Sequence, residues 1–133
     1  MKIEFFQNLD KIPTVTAQQK GVNFKDKKFY TKPEIRLVEN LYKTMLIPYK
    51  PSVPMTGAVA LKVSFRFPLS RGHHEGDYKT TKPDTDNMVK LLKDCMTMVG
   101  YWKDDSQVAY EVVKKTYSKD SGIYVCAETI DQV

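Results

Sequence analysis

The stretch Lys82–Gln107, K-P-D-T-D-N-M-V-K-L-L-K-D-C-M-T-M-V-G-Y-W-K-D-D-S-Q, decides how the rest of the chain is read. Met88, Leu91, Leu92, Cys95, Met96 and Val99 fall at i, i+3, i+4, i+7, i+8 and i+11. That is one apolar stripe with the period of an α-helix, so the spacing predicts a helix over Asp84–Val99 with one face in a core. Gly100 is the residue type that closes a helix in the left-handed conformation. At the other end Asp84, next to Pro83, is an N-cap candidate, and Asp86 puts an acid in the first turn, where it complements the helix dipole.

Upstream, Pro68–Lys82 (PLSRGHHEGDYKTTK) is polar, holds two glycines and has no apolar period, so a mobile loop and candidate substrate-contacting flap is expected. Before it, Leu61, Val63, Phe65 and Phe67 alternate with Lys62, Ser64 and Arg66, the pattern of a half-buried strand over Ala58–Phe67. Pro51 and Pro54 mark a connector. Ile35, Val38, Tyr42, Met45 and Leu46 recur at helical spacing between Pro33, suited to a first turn, and Pro48, which closes the segment. Lys2–Phe6 reads as a short strand, and Gly21–Tyr30 as a hairpin or loop turning at Lys25, Asp26 and Lys27. Downstream, Gln107–Tyr117 and Gly122–Ile130 alternate around Ser118-Lys119-Asp120-Ser121, which predicts a closing β-hairpin.

With 133 residues the chain is expected to be one domain, 1–133, because two cores would each be too small. Hydrophobic residues at 41% and charged residues at 28% suit a folded chain and argue against disorder. No apolar run approaches a membrane span and Met1–Phe6 lacks a signal-peptide core, so no membrane partner and a cytoplasmic protein are expected. Cys95 and Cys126 are far apart with apolar neighbours, as buried, reduced thiols would be.

The net charge of +5 and pI near 9.1 favour a polyanionic partner. Only Arg36, Arg66 and Arg71 among the 21 basic residues are arginine. Lysine meets phosphate as a point charge, so backbone and shape should dominate any nucleic-acid recognition. The densest basic run is Lys20, Lys25, Lys27, Lys28, Lys32 and Arg36, opposed by Asp26 and Glu34, and a solvated loop explains it equally well. Arg71, Lys79 and Lys82, in the loop before the helix, are further candidate DNA contacts.

Chemistry concentrates at the two ends of the predicted helix. Asp84 and Asp86, two apart, project to one side in an extended approach to the helix and suit one hard cation such as Mg²⁺. Asp104-Asp105 joins them only if the chain folds back past the helix. The plain reading stays open beside this one: Asp84 and Asp86 as caps, Asp104-Asp105-Ser106 as a turn, and Lys90 as the partner of acids four residues away on either side. His73-His74-Glu75 is more often a solvated loop than a zinc site. No G-x-S-x-G or G-x-x-x-x-G-K occurs. Tyr101 and Trp102 read as core or interface residues rather than base-stacking platforms.

Taken in order, Pro83-Asp84-Thr85-Asp86-Asn87, Lys90, Asp94 and Lys103-Asp104-Asp105-Ser106-Gln107 resemble the P-D-x-D-N-x-x-K, helix, D-D-x-Q signature of the RusA family of Holliday junction resolvases. Ile12-Pro13-Thr14 and Thr16-Ala17-Gln18-Gln19 resemble the family less specifically. The resemblance implies an α+β fold: a small mixed β-sheet packed with two main helices and a C-terminal β-hairpin. It implies a homodimer acting on four-way DNA junctions with Mg²⁺, for which Mn²⁺ could substitute. Asp84, Asp86 and Asp105 are then the metal-binding catalytic acids and Lys90 an essential, catalytic basic neighbour that could steady the scissile phosphate. Asn87 and Asp104 are supporting residues. The rival readings are a flap or RNA nuclease using the same site, and a noncatalytic DNA-binding protein of the same fold.

Overall fold

The computed structural model describes residues 1–15, 21–23, 28–30 and 33–130. Among the described residues six strands and two helices follow in the order β1 (Lys2–Asn8), β2 (Gly21–Asn23), β3 (Lys28–Tyr30), α1 (Pro33–Leu46), β4 (Val59–Pro68), α2 (Thr85–Val99), β5 (Val108–Ser118) and β6 (Gly122–Thr129). Short 3₁₀ turns at Ile47–Tyr49 and Asp105–Gln107 follow α1 and precede β5. Strands β2 and β3 pair antiparallel with each other, which gives the expected hairpin its backbone. The turn expected at Lys25–Lys27, with Thr16–Gln19, lies outside the described residues.

The main sheet has the order β1-β6-β4-β5. Strand β4 runs parallel to β5 and antiparallel to β6, while β1 pairs antiparallel with β6. Between the parallel strands the chain passes through α2, as a parallel connection requires. The fold is therefore α+β with a small mixed sheet and two helices. The closing hairpin is corrected: β5 and β6 follow one another in sequence, but β4 lies between them. Burial explains the choice. Val59, Leu61, Val63, Phe65 and Phe67 are all buried on the helix-facing side of β4, so a central place with two neighbours keeps the most apolar surface from water. On β5 the same side carries Glu111 and Lys115 beside Val113 and Tyr117, a stripe tolerable only at an edge. Residues 119–121 can bridge the two strand spacings, about 9.6 Å, across the end of β4.

Both helices cover one face of this sheet. Ile35, Val38, Tyr42, Met45 and Leu46 of α1 and Met88, Val89, Leu91, Leu92, Cys95 and Met96 of α2 meet Phe5, Leu61, Val63, Phe65, Ile123 and Val125 in one core. At about 1.5–3 kcal/mol for each fully buried large apolar side chain, this face is the main stabilising term. The cysteines are free and buried. Tyr101 and Trp102 belong to the core: the Tyr101 hydroxyl donates to the Leu46 carbonyl at 2.7 Å, and the Trp102 ring N–H donates to the Thr97 hydroxyl at 2.7 Å.

Close approach is critical where β6 begins. A Cβ on Gly122 would stand 2.1 Å from the Gln7 carbonyl oxygen of β1 and 2.7 Å from the Phe6 ring, so only glycine lets the two strands pair there. The segment between β4 and α2 carries more order than its composition suggests. Gly76 N–H donates to Tyr117 O, Tyr117 N–H to Asp77 O and Lys79 N–H to Lys115 O, so the expected loop is hydrogen-bonded along the free edge of β5. His73 stacks on Tyr117 at 3.9 Å between ring centres. Among the described residues no helix is long and apolar enough to cross a membrane.

Candidate active site

The head of α2 supplies two of the expected acids. Asp84 takes the N-cap position with an extended backbone, φ −74° and ψ 147°, and its carbonyl accepts the first helical hydrogen bond from Met88 N–H at 3.1 Å. Its carboxylate makes no capping hydrogen bond. The capping account of Asp84 therefore lacks the contact on which it depends. Asp86 is exposed in the first turn. Among the described residues neither carboxylate has an ion-pair or hydrogen-bond partner, and Asn87 holds neither.

The third acid comes back to the same helix from the other side. Asp105 opens the 3₁₀ turn before β5, and its Oδ2 lies 3.0 Å from the Lys90 Nζ, one turn along α2 from Asp86. Lys90 also meets Asp94 Oδ1 at 3.1 Å. The ammonium thus sits between two carboxylates, Asp94 only 20% and Asp105 27% exposed. Hydrogen bonds to Asp105 and then Asp94 push the Lys90 pKa above its ordinary value, against a smaller opposing effect of burial. The spacing had offered Lys90 partners on either side of it in the helix; the structure chooses Asp94 and adds Asp105. Lys90 and Asp105 are brought together. The described residues do not gather three carboxylates or other ligating side chains into one cluster.

Asp104 and Gln107 set the direction of Asp105. The Asp104 Oδ1 accepts from Ser106 N–H at 2.9 Å, while the Gln107 Oε1 accepts from the N–H groups of Lys103 at 3.0 Å and Asp104 at 3.2 Å. This is a reciprocal cap around the turn that presents Asp105. Hydrogen bonds from Ser106 hold the Asp104 carboxyl below the usual carboxylate range. Gln107 Nε2 donates in addition to Met55 O at 2.9 Å and Gly57 O at 3.0 Å, tying the turn to the chain that enters β4. In the sequence Gln107 stands as a letter of the signature and the start of a predicted strand; its spacing of three from Asp104 is the signal for a cap.

The candidate DNA contacts separate on inspection. Lys20, Lys25, Lys27 and Lys32 lie outside the described residues, and Lys28 falls in β3. Arg36 is exposed on α1, and Arg71 and Lys82 are exposed in the segment before α2. Lys79 is already engaged: its Nζ donates to the Thr81 hydroxyl at 2.7 Å and lies 5.0 Å from the Phe67 ring centre and 5.5 Å from that of Tyr117. His73 and His74 are exposed, as expected of a solvated loop.

Sheet, crossover helix and returning turn define a small α+β protein in which Asp84 and Asp86 stand at the head of α2 and Lys90 of the same helix meets Asp94 and Asp105. The chain belongs to the endodeoxyribonuclease RusA family, whose model matches residues 11–128. It is 37% identical over 131 residues to the crossover junction endodeoxyribonuclease rusA of Lactococcus phage r1t, covering 94% of this chain and 96% of that one. It is also 34% identical over 88 residues to the uncharacterized protein YqaN of Bacillus subtilis (strain 168), covering 58% of this chain and 61% of that one.

Proposed function

We infer that this chain is a Holliday junction resolvase, an endodeoxyribonuclease that nicks four-way DNA junctions in recombination and repair. The observation that carries the inference is family membership across residues 11–128 with every residue of the Pro83–Gln107 signature in place. Its site of work is the cytoplasm.

The finer reading is a Mg²⁺-dependent reaction. Asp84 and Asp86 are hard oxygen donors with no competing partner, and Mg²⁺ is commonly held by one or two carboxylates with waters and substrate phosphate completing its shell. The donor chemistry of Asp84 and Asp86 therefore fits the ion at the head of α2, and the family signature would add Asp105, which here faces Lys90. When bound, Mg²⁺ supplies positive charge for the phosphate and makes a water more acidic. Lys90 keeps a protonated ammonium beside Asp105, available to the extra negative charge that develops on a phosphate under attack. Asp104 and Gln107 hold the turn on which Asp105 sits.

A junction has near two-fold symmetry and resolution needs two nicks, so a C₂ homodimer with one site per subunit suits the substrate. The basic charge supports binding through phosphates. Synthetic four-way, flap and linear duplex DNA, each with Mg²⁺, Mn²⁺ or EDTA, test the reading on a denaturing gel. Paired nicks only in the four-way substrate and only with metal are expected. Preferential cutting of flaps, or of a single-stranded RNA run beside them, or binding with no cutting, would transfer the chain to one of the rival functions. Asp84→Asn is expected to abolish cutting with junction binding in EDTA kept within about twofold. Because that side chain caps nothing, stability should move by less than about 0.5 kcal/mol.

A further inference from the structure

Lys115 lies outside the motif, on β5, with its side chain on the helix-facing side beside Phe65. A lysine is poorly suited to that stripe unless its ammonium finds partners. It finds two: Nζ donates to the Thr81 carbonyl at 2.7 Å and to the Pro83 carbonyl at 2.7 Å. The Lys115 backbone holds the same segment, its carbonyl accepting from Lys79 N–H at 3.0 Å. The Pro83 carbonyl belongs to the peptide that enters Asp84. The next carbonyl, that of Asp84, is taken by Met88 N–H. Backbone on both sides of the Asp84 Cα is therefore fixed, one side by the helix and the other by Lys115, while the carboxylate itself remains uncommitted.

We propose that Lys115 is a positioning residue for the acidic head of α2, clamping residues 81–83 so that Asp84 and Asp86 are presented in one orientation. The inference rests on the reading of these acids as cation ligands. A carboxylate pair on a loose helix entrance must be ordered each time an ion binds, and groups that hold ligands in place typically change metal affinity about 10–100-fold when removed. Two charge-assisted hydrogen bonds to carbonyls two residues apart in an otherwise irregular segment are an anchor of that kind.

The test compares the wild-type chain with Lys115→Met, which keeps the apolar stem and loses the donors, and Lys115→Arg, which keeps donors. Three readings are taken on each: Mn²⁺ binding to the DNA-free protein from the electron paramagnetic resonance of free Mn²⁺, junction affinity in EDTA, and the Mg²⁺ dependence of cleavage. For Lys115→Met, Mn²⁺ binding should weaken about tenfold, the half-saturating Mg²⁺ for cleavage should rise in step, and junction affinity should stay within about twofold. Lys115→Arg should recover most of the loss. Wild-type Mn²⁺ binding in Lys115→Met overturns the proposal, and so does equal loss in both variants. If Lys115→Met fails to fold, Lys115→Gln, with a shorter donor, takes its place against the same criteria. A wild-type chain whose Mn²⁺ binding is unchanged by Asp84→Asn overturns the cation reading itself, and this proposal with it; normal sensitivity to Asp84→Asn with an insensitive Lys115 overturns the clamp alone.

Discussion

Replacing Gln107 by Met tests whether the turn before β5 is held by this side chain. The substitution keeps the length and apolar stem and removes four hydrogen bonds: from Lys103 N–H and Asp104 N–H, and to Met55 O and Gly57 O. A net contribution of about 0.5–1.5 kcal/mol each gives an upper range of about 2–6 kcal/mol. Three of the four are solvent-exposed, so water replaces much of what is lost and about 2 kcal/mol is the expected cost. In a chain of this size that corresponds to a midpoint about 6–10 °C lower. Urea unfolding followed by far-ultraviolet circular dichroism measures it. Because Asp105 stands between the two capping residues, cleavage at a temperature where the variant is folded should fall at least about tenfold with junction binding retained. Asp104→Ala in the same background should be non-additive by about 0.5–1 kcal/mol, since both side chains close one turn. A Gln107→Met protein within about 0.5 kcal/mol of wild type, or strict additivity with Asp104→Ala, would refute the reciprocal cap as the support of Asp105.

Lys90→Met should lose cleavage while changing urea stability by less than about 1 kcal/mol, because its two ion pairs are made by a half-exposed side chain; a large loss of stability with cutting intact would assign Lys90 to structure. Gly122→Ala should destabilise by about 3 kcal/mol or more, since its Cβ would overlap the Gln7 carbonyl at 2.1 Å and neither strand can retreat without breaking the β1–β6 ladder. Near-wild-type urea stability of that variant would contradict the register between these strands.

Legibility in the sequence followed the range of the physics. The helix over 85–99 was readable because its stripe and its Gly100 stop repeat within a few residues, and the glycine has the left-handed φ of 96° that this position favours. The strand over 59–68 was readable for the same reason, as were the buried cysteines from their apolar neighbours. The hairpin expected of β5 and β6 failed because alternation tells which side of a strand is wet and says nothing about its neighbour. The loop over 68–82 hid its order for a similar reason: its hydrogen bonds go to the edge of β5, far along the chain.

The candidate site divides in the same way. By itself the sequence determined which residue types stand where: two acids at a helix head, a lysine one turn on, and an Asp-Asp-Ser-Gln turn beyond the helix end. Such identities and spacings are local. Only the tertiary structure decided that β4 takes the centre of the sheet, that Lys90 faces Asp105 as well as Asp94, that Asp84 leaves its capping bond unmade, and that Lys115 reaches the carbonyl preceding Asp84. The physical reason is that the deciding contacts are distant in sequence, 15 positions for Lys90 with Asp105 and 32 for Lys115 with Pro83, and are settled by which strand buries the most apolar surface and where that leaves each charged side chain to find a partner.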